Sequence, residues 1–106
     1  VTDFSTLTAR LTGFDWDGGN AEKNWARHGV SRNEAEEVFF NRPVLLADDA
    51  KHSERERRYL VLGRSNAERL LAVIFTVRSD LARIISARPM SRKERTLYAK
   101  IPYEAP

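Results

Sequence analysis

Three apolar runs, Tyr59–Leu62, Leu70–Val77 and Leu81–Ala87, are joined only by short polar segments, Ser65-Asn66-Ala67-Glu68 and Arg78-Ser79-Asp80. A parallel pairing needs a crossover of a dozen or more residues, and neither connector is that long. The three runs are therefore expected to pair as an antiparallel meander. Val44, Leu45 and Leu46 read as a further strand closed by Asp48-Asp49, and the charged stretch 50–57 reads as a solvated loop.

The elements around this sheet follow from local signals. Phe14-Asp15-Trp16-Asp17 alternates apolar and acidic residues as a short strand does, and Gly18-Gly19 breaks it. Asn20 is then the expected cap of a helix over 21–28, with Trp25 as an inward anchor and Gly29 as its terminator. Ser31-x-x-Glu34 fits a capping box, and Ala35, Val38 and Phe39 supply one buried face before Asn41-Arg42-Pro43 ends the helix. Ser91-x-x-Glu94, after Pro89, repeats the capping-box spacing and starts a last helix with Leu97 and Met90 toward the core. Residues 1–13 form an N-terminal extension, either an edge element or a frayed segment; residues 14–100 form the domain, and 101–106 a tail. The expected fold class is a small single α+β domain: an antiparallel β-meander with two N-terminal helices and one C-terminal helix, one sheet face covered and one available.

With 106 residues there is room for one core, which excludes a large multi-substrate enzyme. The chain has no cysteine, so disulfides, a thiol nucleophile and thiolate zinc ligation are excluded. No stretch approaches a membrane span, and VTDFSTLTARL lacks the apolar core of a secretory signal, so the cytoplasm is the expected compartment. The net charge of +3 hides a division: residues 1–50 hold 5 Lys/Arg against 9 Asp/Glu, and residues 51–106 hold 13 against 6. Of the 18 basic residues 14 are arginine, whose planar fork matches phosphate or carboxylate. A basic half suits nucleic acid, and equally suits a protein partner or self-association.

Phe14-x-Trp16-Asp17, Asn24, Arg27-His28-Gly29-Val30-Ser31, Glu34-Ala35-x-x-Val38-Phe39, Glu56-x-Arg58 with Gly63, and Asp80-x-x-Arg83-Ile84-Ile85-Ser86-Ala87-Arg88 with Glu94 and Tyr98 occur in that order. This string, spanning about residues 14–98, resembles the BrnT family of bacterial toxins. The resemblance implies a RelE-like fold and a ribonuclease toxin of a type II toxin–antitoxin pair. It also implies a BrnA-like antitoxin with a ribbon-helix-helix portion, which neutralises the toxin and with it represses their operon, so that operator DNA is met through the antitoxin. The toxin would act as a dimer or within a heterotetramer. Asn20 stands where family members often carry Lys, and Arg32 replaces a usual aromatic residue.

Metal-free RNA cleavage needs a group to take the 2′-OH proton, donors for the five-coordinate phosphorane and a proton for the leaving 5′-oxygen. Arg58 and Arg83 are the leading catalytic candidates; otherwise they form structural salt bridges with Glu56 or Glu94. Strict alternation puts Leu81, Arg83, Ile85 and Ala87 on one face and Ala82, Ile84, Ser86 and Arg88 on the other. His28 is the natural acid–base residue, or else a helix-end cap. Glu94 is a capping carboxylate, a general base or an orienter of Arg83. Tyr98 stacks on a base, donates to phosphate, or packs on the sheet. Arg78, Arg88, Arg92, Lys93 and Arg95, with His52 from the charged loop, are candidate RNA or phosphate contacts, and Lys100 extends the same basic helix surface. Trp16 and Trp25 fit core anchoring better than stacking on nucleic acid. Asp15 and Asp17 flank Trp16 on the opposite strand face, with no further acidic ligand spaced to complete a Mg²⁺ site. No metal or cofactor is implied. Two other functions fit the same features: a non-catalytic nucleic-acid-binding or corepressor module, and a purely structural interaction domain.

Overall fold

Short connectors and alternating strands produce the meander. The computed structural model describes residues 4–49 and 55–102. In chain order the elements are α1 (Phe4–Thr8), β1 (Gly13–Trp16), α2 (Gly18–His28), α3 (Arg32–Glu37), β2 (Leu45–Asp48), β3 (Arg58–Arg64), β4 (Leu70–Arg78), β5 (Leu81–Pro89) and α4 (Arg92–Ala99). They build one five-stranded sheet of order β1-β5-β4-β3-β2. β2 to β5 pair antiparallel at each step, as the connectors require. β1 adds to the β5 edge in parallel, with Gly13 opposite Leu81 and Trp16 opposite Ile84. Asp48 is the last residue of β2, so the strand ends at Asp48-Asp49 as expected, and Arg57 holds the Asp48 carboxylate at 3.0 Å.

α1 and α3 cover one sheet face. Val38 and Phe39, just beyond α3, are buried with Val61, Val73, Phe75 and Ile84. The rings of Phe14, Phe39, Phe75 and Tyr59 form a continuous chain with centroids 5.0–5.4 Å apart. Such contacts add about 0.5–1.5 kcal/mol each beyond the area they bury. Gly63 is required here, since a Cβ at that position would lie 2.8 Å from the Val38 Cγ1. Within the 1–13 extension the described residues include α1, neither a frayed segment nor an edge strand: its Phe4 and Leu7 join this core, so among the described residues three helices precede β2.

The start of α2 also differs from expectation. Asp17, not Asn20, is the cap: its Oδ1 accepts from the Gly19 N–H at 2.8 Å and the Asn20 N–H at 3.4 Å. The glycine pair is therefore the first helical turn and not a break. Gly29, at φ +64°, ends the helix as expected, because that left-handed conformation suits a residue without a side chain. Trp25 is 63% exposed, and Asn24 faces inward instead. β1 stops at Trp16, so among the described residues the later edge of β5 has no strand partner, and Asn24 Oδ1 accepts the Ala87 N–H there at 3.2 Å. Position 25, about 100° further around the helix, consequently turns outward.

A bulge breaks the alternation in β5. Ile74 pairs with Ser86 while Phe75 pairs with Ile84, so Ile85 is an extra residue. Beyond it the faces exchange: Ala87 enters the core, and Ser86 and Arg88 join the side of Arg83. That second face is half covered. α4 closes the end bearing Leu62 and Ala72, burying Met90 and Tyr98, and Ile101 packs there too. Met90 faces the core as expected, but Leu97 is 50% exposed and Tyr98 takes the inward position. Among the described residues no helix is long and apolar enough to cross a membrane.

Candidate functional site

Strand register assembles one row across the open half of the second face. Arg58 on β3 lies opposite Thr76 on β4, Thr76 opposite Arg83 on β5, and Arg83 opposite Asp15 on β1. Adjacent strands lie about 4.8 Å apart, so the two arginine backbones are about 10 Å apart with Thr76 between them. Thr76 is 2% exposed and its hydroxyl donates to the Arg57 carbonyl at 2.7 Å, which makes it a fixed, small floor. Both guanidinium side chains are long enough to reach one anion above that floor.

Arg83 is held from two sides. Its Nη1 donates to Asp15 Oδ2 at 2.8 Å and its Nη2 to Asp17 Oδ2 at 3.3 Å. Its side chain is 21% exposed. Asp17 thus joins the first turn of α2 to the arginine row. The partners expected from sequence, Glu56 and Glu94, belong to other arginines: Glu56 pairs with Arg78 at 3.3 Å and Glu94 with Arg88 at 2.6 Å.

The Arg88–Glu94 pair is bidentate, with a second bond of 2.9 Å from Nη2 to Oε2. Glu94 also accepts the Ser91 N–H at 2.8 Å, completing the expected capping box. The Arg88 hydrogen bonds, aided by the Ser91 N–H and opposed by burial, hold the Glu94 carboxyl down at about 2. The same contact raises Arg88 above the ordinary guanidinium value. A carboxylate so stabilised is a poor proton acceptor, and its geometry is that of an orienter of Arg88 and not of Arg83. At the other capping box Ser31 caps as expected, but Glu34 is drawn to Arg69 at 2.6 Å.

The remaining candidates are dispersed. Tyr98 is buried, and its hydroxyl donates to the Pro43 carbonyl at 2.6 Å while accepting from Arg64 Nε at 3.4 Å. His28 ends α2 beside Gly29, whose carbonyl accepts from Arg69 Nη1 at 3.0 Å. That contact belongs to the Leu70 end of β4, six residues from Thr76 and so about 20 Å along the sheet. His28 is therefore not brought to the Arg58–Arg83 row. Arg92, Lys93 and Arg95 are exposed on α4, Arg95 also donating to the Met90 carbonyl at 2.9 Å. Arg78 is exposed at the β4 end, and Lys100 caps α4. His52 lies outside the described residues. Among these residues no group of three or more His, Cys, Asp or Glu is placed to hold a metal ion.

Sequence reasoning misses Thr76 as the floor and assigns no partner to Asp15 or Asp17. Their one available signal is register: Asp15 shares a face with Arg83 once β1 is known to pair with β5. Trp16, by contrast, is anchored as expected, packing beside the core with its Nε1 donating to Glu36 at 2.8 Å, while Arg32 lies over its ring.

The family model of the ribonuclease toxin BrnT, of type II toxin–antitoxin systems, matches residues 16–94, from the last residue of β1 into the first turn of α4. The chain belongs to the BrnT family. Its structure is similar to the crystal structure of the Brucella abortus ribonuclease toxin BrnT, with a TM-score of 0.56 and 27% identity over 76% of this chain and 97% of that one. No curated protein sequence matches significantly. The fold is accordingly the small α+β, RelE-like fold of BrnT proteins, here with α1 preceding the part matched by the family model.

Proposed function

We propose that this BrnT-family chain is a metal-independent endoribonuclease that binds the scissile phosphate over Thr76. Arg58 and Arg83 flank the phosphate and stabilise the phosphorane charge. Arg88, oriented by Glu94, and the exposed Arg92, Lys93 and Arg95 of α4 guide the neighbouring backbone without reading sequence. Arg78, paired with Glu56, lies at the rim of the same face. Tyr98 serves the scaffold by anchoring α4 to the Pro43 segment. The observation that carries this reading is the Arg58–Thr76–Arg83 row on the half of the face that α4 leaves open. Asp15 and Asp17 are both paired with Arg83, which supports a mechanism run by guanidinium groups instead of a bound metal ion.

A BrnA-like ribbon-helix-helix antitoxin would neutralise the toxin in the cytoplasm by covering this open half. The resulting complex, with one toxin or two, would repress the operon through antitoxin contacts to operator DNA. The test is incubation of partner-free protein with single-stranded RNA in chelator, beside the R58A/R83A double variant. Cleavage by the parent alone is expected. Salt-sensitive binding with intact RNA would overturn cleavage in favour of a nucleic-acid-binding module.

A further inference from the structure

Arg83 meets two carboxylates, one more than its charge requires. Asp17 has a structural role, since its Oδ1 caps α2. Asp15 has no comparable role. Its Oδ2 is fixed by Arg83 at 2.8 Å, whereas Oδ1 makes no hydrogen bond among the described residues. The Asp15 side chain remains 36% exposed on the open face. The other acid–base candidates are removed from this position by distance for His28 and by the Arg88 clamp for Glu94. The charged groups around Asp15 are Arg83 from β5 and Asp17 from the start of α2, with Arg58 further along the row.

We infer that Asp15 is the proton acceptor of the cleavage reaction, which rests on the ribonuclease reading of this site. With a phosphate between Arg83 and Arg58, the adjoining ribose lies toward β1, where Oδ1 of Asp15 takes the 2′-hydroxyl proton. The freed 2′-oxygen attacks the neighbouring phosphorus, the bond from phosphorus to the 5′-oxygen breaks, and that oxygen leaves with a proton from water. The products are a 2′,3′-cyclic phosphate and a 5′-hydroxyl, with no net oxidation or reduction. Arg83 holds Asp15 through its other oxygen and counters charge on the phosphorane, so one guanidinium serves both acid–base and electrostatic roles.

Asp15→Asn tests this, because the amide oxygen still accepts from Arg83 while the proton acceptor is gone. In full-length protein with a short RNA, kcat should fall about 100-fold or more while KM stays within about threefold. The rise of kcat with pH on the acid side should disappear in D15N, and Asp15→Glu should restore part of both the rate and that rise. A D15N variant with parental kcat, or one that loses only KM and keeps the parental pH profile, overturns the assignment and leaves Asp15 as a holder of Arg83. If the parent cleaves and R58A/R83A does not, such a result sinks Asp15 alone. If the parent leaves RNA intact, the ribonuclease reading and this inference fall together.

Discussion

The two halves of the second sheet face share strands but not chemistry. One half, under α4, is closed by Leu62, Ala72, Met90 and Tyr98, and the buried Tyr98 hydroxyl there donates to the Pro43 carbonyl. The other half begins a few residues along and, with β1 added, aligns Arg58, Arg83 and Asp15 in one row around the buried Thr76. Burial of a hydroxyl is tolerated because it is satisfied; the arginines stay near the surface because their charge needs water, carboxylate or an anionic ligand. The contrast teaches that α4 is placed as much by what it leaves open as by what it covers. Stability should reside in the first half and RNA chemistry in the second.

Tyr98→Ala removes the ring and its hydrogen bond from under α4. It should cost about 3–5 kcal/mol of stability in denaturant unfolding, with little change in cleavage per folded molecule. Arg58→Ala should do the reverse. Loss of one phosphorane donor lowers kcat about 100- to 1000-fold, equal to about 2.7–4 kcal/mol, while the melting midpoint moves by only a few degrees.

How much of this is legible in sequence divides along the same line. The meander, the Ser91 box and the Gly29 stop depend on residues close together, and connector length and capping chemistry report them directly. Asp15 and Arg83 are 68 residues apart, so their meeting depends on β1 joining β5 in parallel. The bulge at Ile85 sits in the uniform run Leu81–Ala87 with no glycine or proline to mark it, so alternation misplaces Ser86, Ala87 and Arg88. Asp17 reads as the end of a strand because Gly18-Gly19 resembles a break, although the same pair makes an unobstructed first helical turn. Size alone points Trp25 inward, whereas the unpaired edge of β5 requires the amide of Asn24.

The junction between the halves is sharpened by Glu94→Gln. The folded carboxyl titrates at about 2 against an ordinary 4.5, so its stabilisation is full above the ordinary value and fades as pH falls toward 2. Because the pair is partly solvated, the substitution should cost about 1 kcal/mol at neutral pH. In thermal melts the gap between parent and E94Q should narrow through that acid window. A gap that widens there would contradict the role given to Arg88–Glu94. The smallest effect belongs to the exposed α4 cations: Arg92→Ala with Lys93→Ala should weaken RNA binding several-fold and reduce the salt slope by about 2, without changing kcat.

The most direct test of the division is amide chemical-shift mapping of ¹⁵N-labelled protein titrated with an RNA made uncleavable by a 2′-deoxy substitution at the scissile position. The shifts should concentrate at Asp15, Arg58, Thr76 and Arg83 and spare Leu62, Ala72 and Tyr98. Shifts confined to the α4-covered half, or to the far end of the sheet near His28 and Arg69, would contradict the placement of RNA on the open half.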